Sequence, residues 1–219
     1  MESASIQGRE PVVGERGTQA IDAAQVREGW TPADPGPLGL AAFALTTFVL
    51  SMFNADLVSK AGEPVVLSLA LAYGGIAQVL AGMWEFRTGN TFGAVAFTSF
   101  GAFWISFWAL VTFFAGEIPA EHAGAAIGLY LIAWGIFTTH MFVASLRTTA
   151  AIAVVFFLLA VTFFLLGIGN AGENNGLVEV GGWFGLATAA AAWYASFAAV
   201  VNSTFGRTVM PVKPLSQSH

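Results

Sequence analysis

"YGGIAQVLAGMWEFRTGNTFGAVAFTSFGAFW", Tyr73 to Trp104, is two apolar runs joined by a short polar turn. A helix that crosses a bilayer needs roughly 20 mostly apolar residues. Extended a little at each end, both runs reach that length, so the stretch predicts a helical hairpin through a membrane. Gly89 and Asn90 supply the turn, since both residue types tolerate the backbone angles a tight reversal demands. Arg87 beside them reads as a topology anchor. Glu85 is unexplained by the turn, because it ends an otherwise apolar helix, where a carboxylate is costly.

The rest of the chain agrees. Of 219 residues, 56% are hydrophobic and only 10% charged, and the mean hydropathy is +0.72. A water-soluble domain carries about 25% charged residues, so most of this surface is expected to face lipid. Six segments approach spanning length: 37–54, 65–86, 92–115, 123–146, 149–168 and 178–201. Strand-like alternation is absent, which argues against a β-barrel. The fold class predicted is an all-α integral membrane protein, a six-transmembrane-helix bundle.

Nine of the 21 charged residues fall in the first 34 positions. Residues 1–33 are read as an N-terminal tail with no signal-peptide core, 34–211 as the transmembrane domain and 212–219 as a C-terminal tail. Within the first tail, "TQAIDAAQVREGW" reads equally as an amphipathic surface helix or as unstructured chain. Basic residues favour the cytoplasm. With six spans, Arg9, Arg16, Arg27, Arg87, Arg147, Arg207 and Lys213 share one face, and Lys60 alone falls opposite. Both termini are therefore expected in the cytoplasm, and Asp56, Glu63, Glu117, Glu121, Glu173 and Glu179 make the other face acidic. In that topology the Asn202-Ser203-Thr204 sequon has no glycosylation role.

Within the spans, Ser68, Ala72, Gly75, Gln78, Gly82 and Glu85 recur at helical spacing and predict one small and polar face. Its glycines suit a close helix seam as well as a pore, whereas Gln78 and Glu85 favour a pore. Phe43, Thr47, Leu50 and Asn54 form a mixed stripe on span 1, and Leu159, Thr162, Leu166 and Asn170 one on span 5. The substrate-contacting candidates are Thr46, Thr47, Asn54, Tyr73, Gln78 and Asn170, and the proton-coupling candidates are Glu85 and His140. For His140, a neutral imidazole bonded to a neighbour is the duller alternative. Gly181 and Gly185 form a GxxxG pattern read as packing.

Several classes are excluded. With no cysteine there is no disulfide or thiolate chemistry. No metal-ligand spacing and no nucleophile–histidine–acid set is evident, so neither an enzyme nor a cofactor is expected. The net charge of −5 argues against nucleic acid. No span carries a Lys or Arg near its middle to neutralise a bare anion.

"DPGPLGL" from Asp34 to Leu40, "FALTTFVLSMFNA", the Tyr73–Trp104 block, "IGNAG" and "FGRTVMP" together resemble the acetate/succinate uptake transporters. This family includes bacterial acetate–succinate permeases and yeast proteins of acetate uptake and ammonia export. The likeness covers residues 34–211. It implies a homohexamer of six-helix protomers in the cell membrane, each with its own pore for small monocarboxylates, with protons as co-substrate in some proposals. It also implies a constriction of a Phe, a Tyr and a Leu, which fall here on Phe43, Phe100 and Leu159. Phe100 thus stands where the family has Tyr, and Asp34 where it has Asn. Asp34, Pro35, Pro37, Arg87 and Asn90 are the signature turn residues. Two alternatives stand beside acid transport: a pathway for ammonium or another small solute, and a non-transporting sensor or scaffold.

Overall fold

The computed structural model describes residues 32–215. The stretch 18–30 and Arg9, Arg16 and Arg27 lie outside the described residues. Among the described residues six helices are long and apolar enough to cross a membrane: α1 Gly36–Asn54, α2 Val65–Thr88, α3 Thr91–Glu117, α4 Ala120–Ser145, α5 Ala150–Ala171 and α6 Asn175–Phe205. Among the described residues there is no strand, only an isolated bridge between Thr149 and Pro214. The exposed side chains include Leu80, Phe86, Leu129, Val143 and Phe197, apolar groups that water would not tolerate in such number over one surface. The chain is a multi-pass membrane protein.

The hairpin turn forms as expected. Gly89 takes φ of +80° and ends α2, its N–H directed to the carbonyls of Glu85 and Phe86. Asn90 caps α3, its Oδ1 accepting from Gly93 N at 3.1 Å, which satisfies an otherwise orphaned donor. The helices outrun the apolar segments. Asn174 caps α6 by accepting from Leu177 N at 3.1 Å, so α6 begins at Asn175 rather than at 178 and continues to Phe205. Hydropathy marks only the hydrocarbon layer, whereas a capped helix persists into the polar zone.

Close seams hold the bundle. A Cβ on Gly82 would meet the backbone of Thr98, one on Gly101 would meet Val79, and one on Gly182 would meet the backbone of Asn54 and Ala55. Where lipid replaces water as solvent, such approach is the main source of helix–helix attraction. Gly181 meets Leu166 and Gly185 meets Ser51, so the GxxxG pattern is used in packing.

One expected face is broken. Residues Ala72–Ala77 of α2 form a π-helical turn, which adds a residue to the turn and rotates everything before it. Ser68 and Ala72 therefore point outward, while Val66 and Ala70 take the buried side. Beyond the π turn, Gly75, Gln78, Gly82 and Glu85 keep the buried face.

Candidate functional site

Two cavities enter the bundle from opposite ends. The first opens on the face where the described chain begins and ends, encloses about 310 Å³ and is lined by Asp34, Glu85, Asn90, Phe97, Phe156 and others. The second, of about 230 Å³, lies at the other end among Leu50, Asn54, Glu63, Tyr130, Leu166 and Asn170. On α1, α3 and α5 alike, ten residues separate the two cavities: Leu40 to Leu50, Phe97 to Phe107 and Phe156 to Leu166. That is about 15 Å along a helix axis, half the hydrocarbon thickness.

The interval is filled by rings. Phe100 of α3 lies 5.9 Å from Phe43 of α1 and 5.9 Å from Phe156 of α5, ring centre to ring centre. It also meets Phe163 of α5 and Trp134 and Phe137 of α4. Phe43, Phe100 and Leu159 are 4%, 3% and 4% exposed and belong to one apolar core. Sequence reading missed Phe156, Phe163, Trp134 and Phe137, because a chain with 20 Phe uses the same residues against lipid and leaves no periodic sign of which turn inward.

Polar candidates divide by level. Thr47 and Gln78 lie between the cavities along α1 and α2, both buried, and Thr47 Oγ1 and Gln78 Oε1 have no hydrogen-bond partner among the described residues. Unpaired buried polar groups are uncommon. Thr46 bonds back to Ala42 O at 3.0 Å and packs against Gly74 of the π turn. Thr162 bonds back to Leu158 O at 2.8 Å. Asn54 and Asn170 both line the second cavity, and Asn170 Nδ2 donates to Leu166 O at 2.8 Å. Tyr73 is half-buried in the π turn and lines neither cavity, and His140 is exposed on α4, also lining neither. Tyr130, not singled out from sequence, joins α4 to α3 through Ser106 Oγ at 2.7 Å and Phe103 O at 3.2 Å.

Glu85 finds its explanation in the first cavity. The residue is only 2% exposed, and its Oε2 accepts from Thr88 Oγ1 at 3.1 Å. A methyl group on Gly36 would stand 3.6 Å from Glu85 Oε1, and one on Gly93 would stand 2.6 Å from it. The carboxyl is thus set between the first turns of α1 and α3, where the positive ends of the helix dipoles favour an acceptor. Arg87 is exposed and lines neither cavity.

Three helices begin at this cavity, and on each of them at least one first-turn N–H is already engaged. Asp34 Oδ1 accepts from Gly36 N at 2.8 Å beside Pro35 and Pro37, and Asn90 serves α3. At α5, Thr149 Oγ1 accepts from Ile152 N at 3.3 Å, while Lys213 O accepts from Ala150 N at 2.8 Å. Among the described residues lining either cavity there is no Lys, Arg or His; the ionisable groups are Asp34 and Glu85 in one and Glu63 and Tyr130 in the other. These cavities offer acceptors and apolar walls, with little to hold a bare anion.

A family model described as GPR1/FUN34/yaaH matches residues 17–217. The chain belongs to that family. It is 40% identical over 180 residues to the succinate-acetate/proton symporter SatP of Escherichia coli, covering 82% of this chain and 95% of that one. It is 44% identical over 196 residues to acetate permease A of Emericella nidulans, covering 82% of this chain but 65% of the longer fungal protein. Ammonia transport outward protein 2 of Saccharomyces cerevisiae is 44% identical over 175 residues, covering 78% and 62%. A solved structure of the bacterial acetate channel SatP superposes with a TM-score of 0.78 at 40% identity, over 83% of this chain and 99% of that chain.

Proposed function

We propose that this protein carries acetate and related small carboxylic acids, succinate among them, across the cell membrane. The passenger crosses as the neutral acid or as anion plus proton. One observation carries the reading: two cavities at opposite ends of one bundle, separated by a ring-filled interval centred on Phe100. Desolvating a bare carboxylate in such a medium costs on the order of 20 kcal/mol in the idealised limit. Protonating a simple carboxylic acid at pH 7 costs about 3–4 kcal/mol. Acidic rather than basic cavity walls weigh the same way.

In this scheme Phe43, Phe100 and Leu159 form the barrier, and the unpaired Thr47 and Gln78 atoms bond the acid as it passes. Thr46 and Tyr73 support that level from behind, Asn54 and Asn170 receive the acid at the second cavity, and Glu85 exchanges its proton at the first. His140 serves such exchange only if a partner protomer encloses it. Both termini lie in the cytoplasm, which the basic residues on that face support, and protomers assemble as homohexamers, each with its own path. No cofactor and no chemical conversion is involved.

The test is uptake of labelled acetate and succinate by purified protein in liposomes, with and without an imposed pH gradient. Acid uptake above protein-free vesicles is expected, and an inward proton gradient should increase it. Ammonia flux without acid flux would instead favour the activity named for the yeast relative; neither flux would leave a sensor or scaffold.

A further inference from the structure

The chain beyond α6 is bound back onto the bundle. α6 ends at Phe205, and Gly206 with φ of +63° reverses the chain. Asn202 then grips the returning backbone: its Oδ1 accepts from Val209 N at 2.7 Å and Met210 N at 2.9 Å, and its Nδ2 donates to Met210 O at 2.8 Å. Tyr194 OH donates to Pro211 O at 2.7 Å. Farther on, Lys213 O accepts from Ala150 N at 2.8 Å, and Leu215 N donates to Thr148 O at 2.9 Å. Between these two attachments Val212 lines the first cavity beside Thr148 and Thr149.

We propose that Gly206–Leu215 is a strap forming one wall of the first cavity, and that Asn202 is the positioning residue that keeps it closed. Pro211 and Pro214 stiffen the strap by fixing φ and removing N–H donors, so it swings as a unit rather than fraying residue by residue. Its attachments are polar and sit at an exposed edge, with Pro211, Lys213 and Pro214 all exposed. Such segments open at far lower free energy than a packed helix. Opening would also release the first-turn N–H of Ala150 toward the cavity, where a carboxylate entering from that face would find a donor. The Asn202-Ser203-Thr204 sequon thereby acquires a role: its amide is spent on the strap.

The consequence for transport rests on the function proposed above, but the strap itself is testable without it. The protein has no cysteine, so Ala199→Cys, on the wall of this cavity, reports access. The probe is a charged, water-soluble thiol reagent applied to the full chain in detergent. Asn202→Ala removes three hydrogen bonds and should speed labelling roughly tenfold or more, and Tyr194→Phe, which removes one, about two- to fivefold. In liposomes Asn202→Ala should raise succinate flux relative to acetate. Equal labelling rates in the parent and in whichever of the two variants folds would overturn the strap. Faster labelling in a protein that passes no acid would uphold it and remove the transport reading instead.

Discussion

Phe100→Ala separates a dry barrier from a watery one. The ring touches α1, α4 and α5 at once, so its removal opens the middle of the interval between the cavities rather than one side. The space of a phenyl group admits at least one water of about 30 Å³. On the neutral-passenger reading proposed above, only uncharged acid crosses the interval in the parent protein. Well above the acid's pKa its neutral fraction falls about tenfold per pH unit, and exchange at fixed total acetate should fall with it. A wetted interval passes anion as well, so the slope should flatten well below tenfold while flux at pH 7.5 rises. The assay is equilibrium exchange of labelled acetate in liposomes from pH 5.5 to 7.5 without a gradient, after subtraction of protein-free vesicles. The substitution also costs about 3–5 kcal/mol of packing, so the variant must first be shown monodisperse. A parent profile flat with pH would refute the neutral-passenger argument, as would a variant with the parent's steep profile and rate.

Phe100→Tyr places a hydroxyl among five rings; altered acetate-over-succinate preference is expected in paired uptake assays, and an identical ratio would remove position 100 from the narrow point. Glu85→Gln keeps the volume and the Thr88 contact but loses the exchangeable proton, so the pH dependence of gradient-driven uptake should weaken towards that of the acid's own neutral fraction; an unaltered profile would reduce Glu85 to a structural cap. Gly182→Ala drives a methyl group into the backbone of Asn54 and Ala55, which no rotamer change relieves. It should destabilise by about 1–3 kcal/mol or more, read as a lowered unfolding temperature in detergent, and an unchanged temperature would contradict the seam.

The number of spans and the turn at Gly89 were legible because both are local. Length, apolarity and a capped break are properties of consecutive residues, and lipid forbids the alternatives that water would allow. The face of α2 was half legible for a definite reason. Helical spacing assumes 3.6 residues per turn throughout, and the π turn at Ala72–Ala77 breaks the count between Ala72 and Gly75. Gly74 and Gly75, weak helix formers in sequence, are the trace of it, since Gly74 lets Thr46 approach and Gly75 meets Ile105.

Glu85 shows why partners are harder to read than positions. Its cost inside an apolar helix was plain from sequence, but the offsetting groups lie on α1, α3 and its own last turn, brought together only by packing. Gly93 looks like an ordinary helix-start residue until the carboxyl is seen to occupy the space its side chain would fill. The same holds at Asn202, where a tripeptide that resembles a modification signal is a clamp because the chain reverses at Gly206. A motif's meaning here is set by which backbone groups the fold leaves unpaired beside it, and at Asn202 those are groups of Val209 and Met210 that the turn at Gly206 brings back.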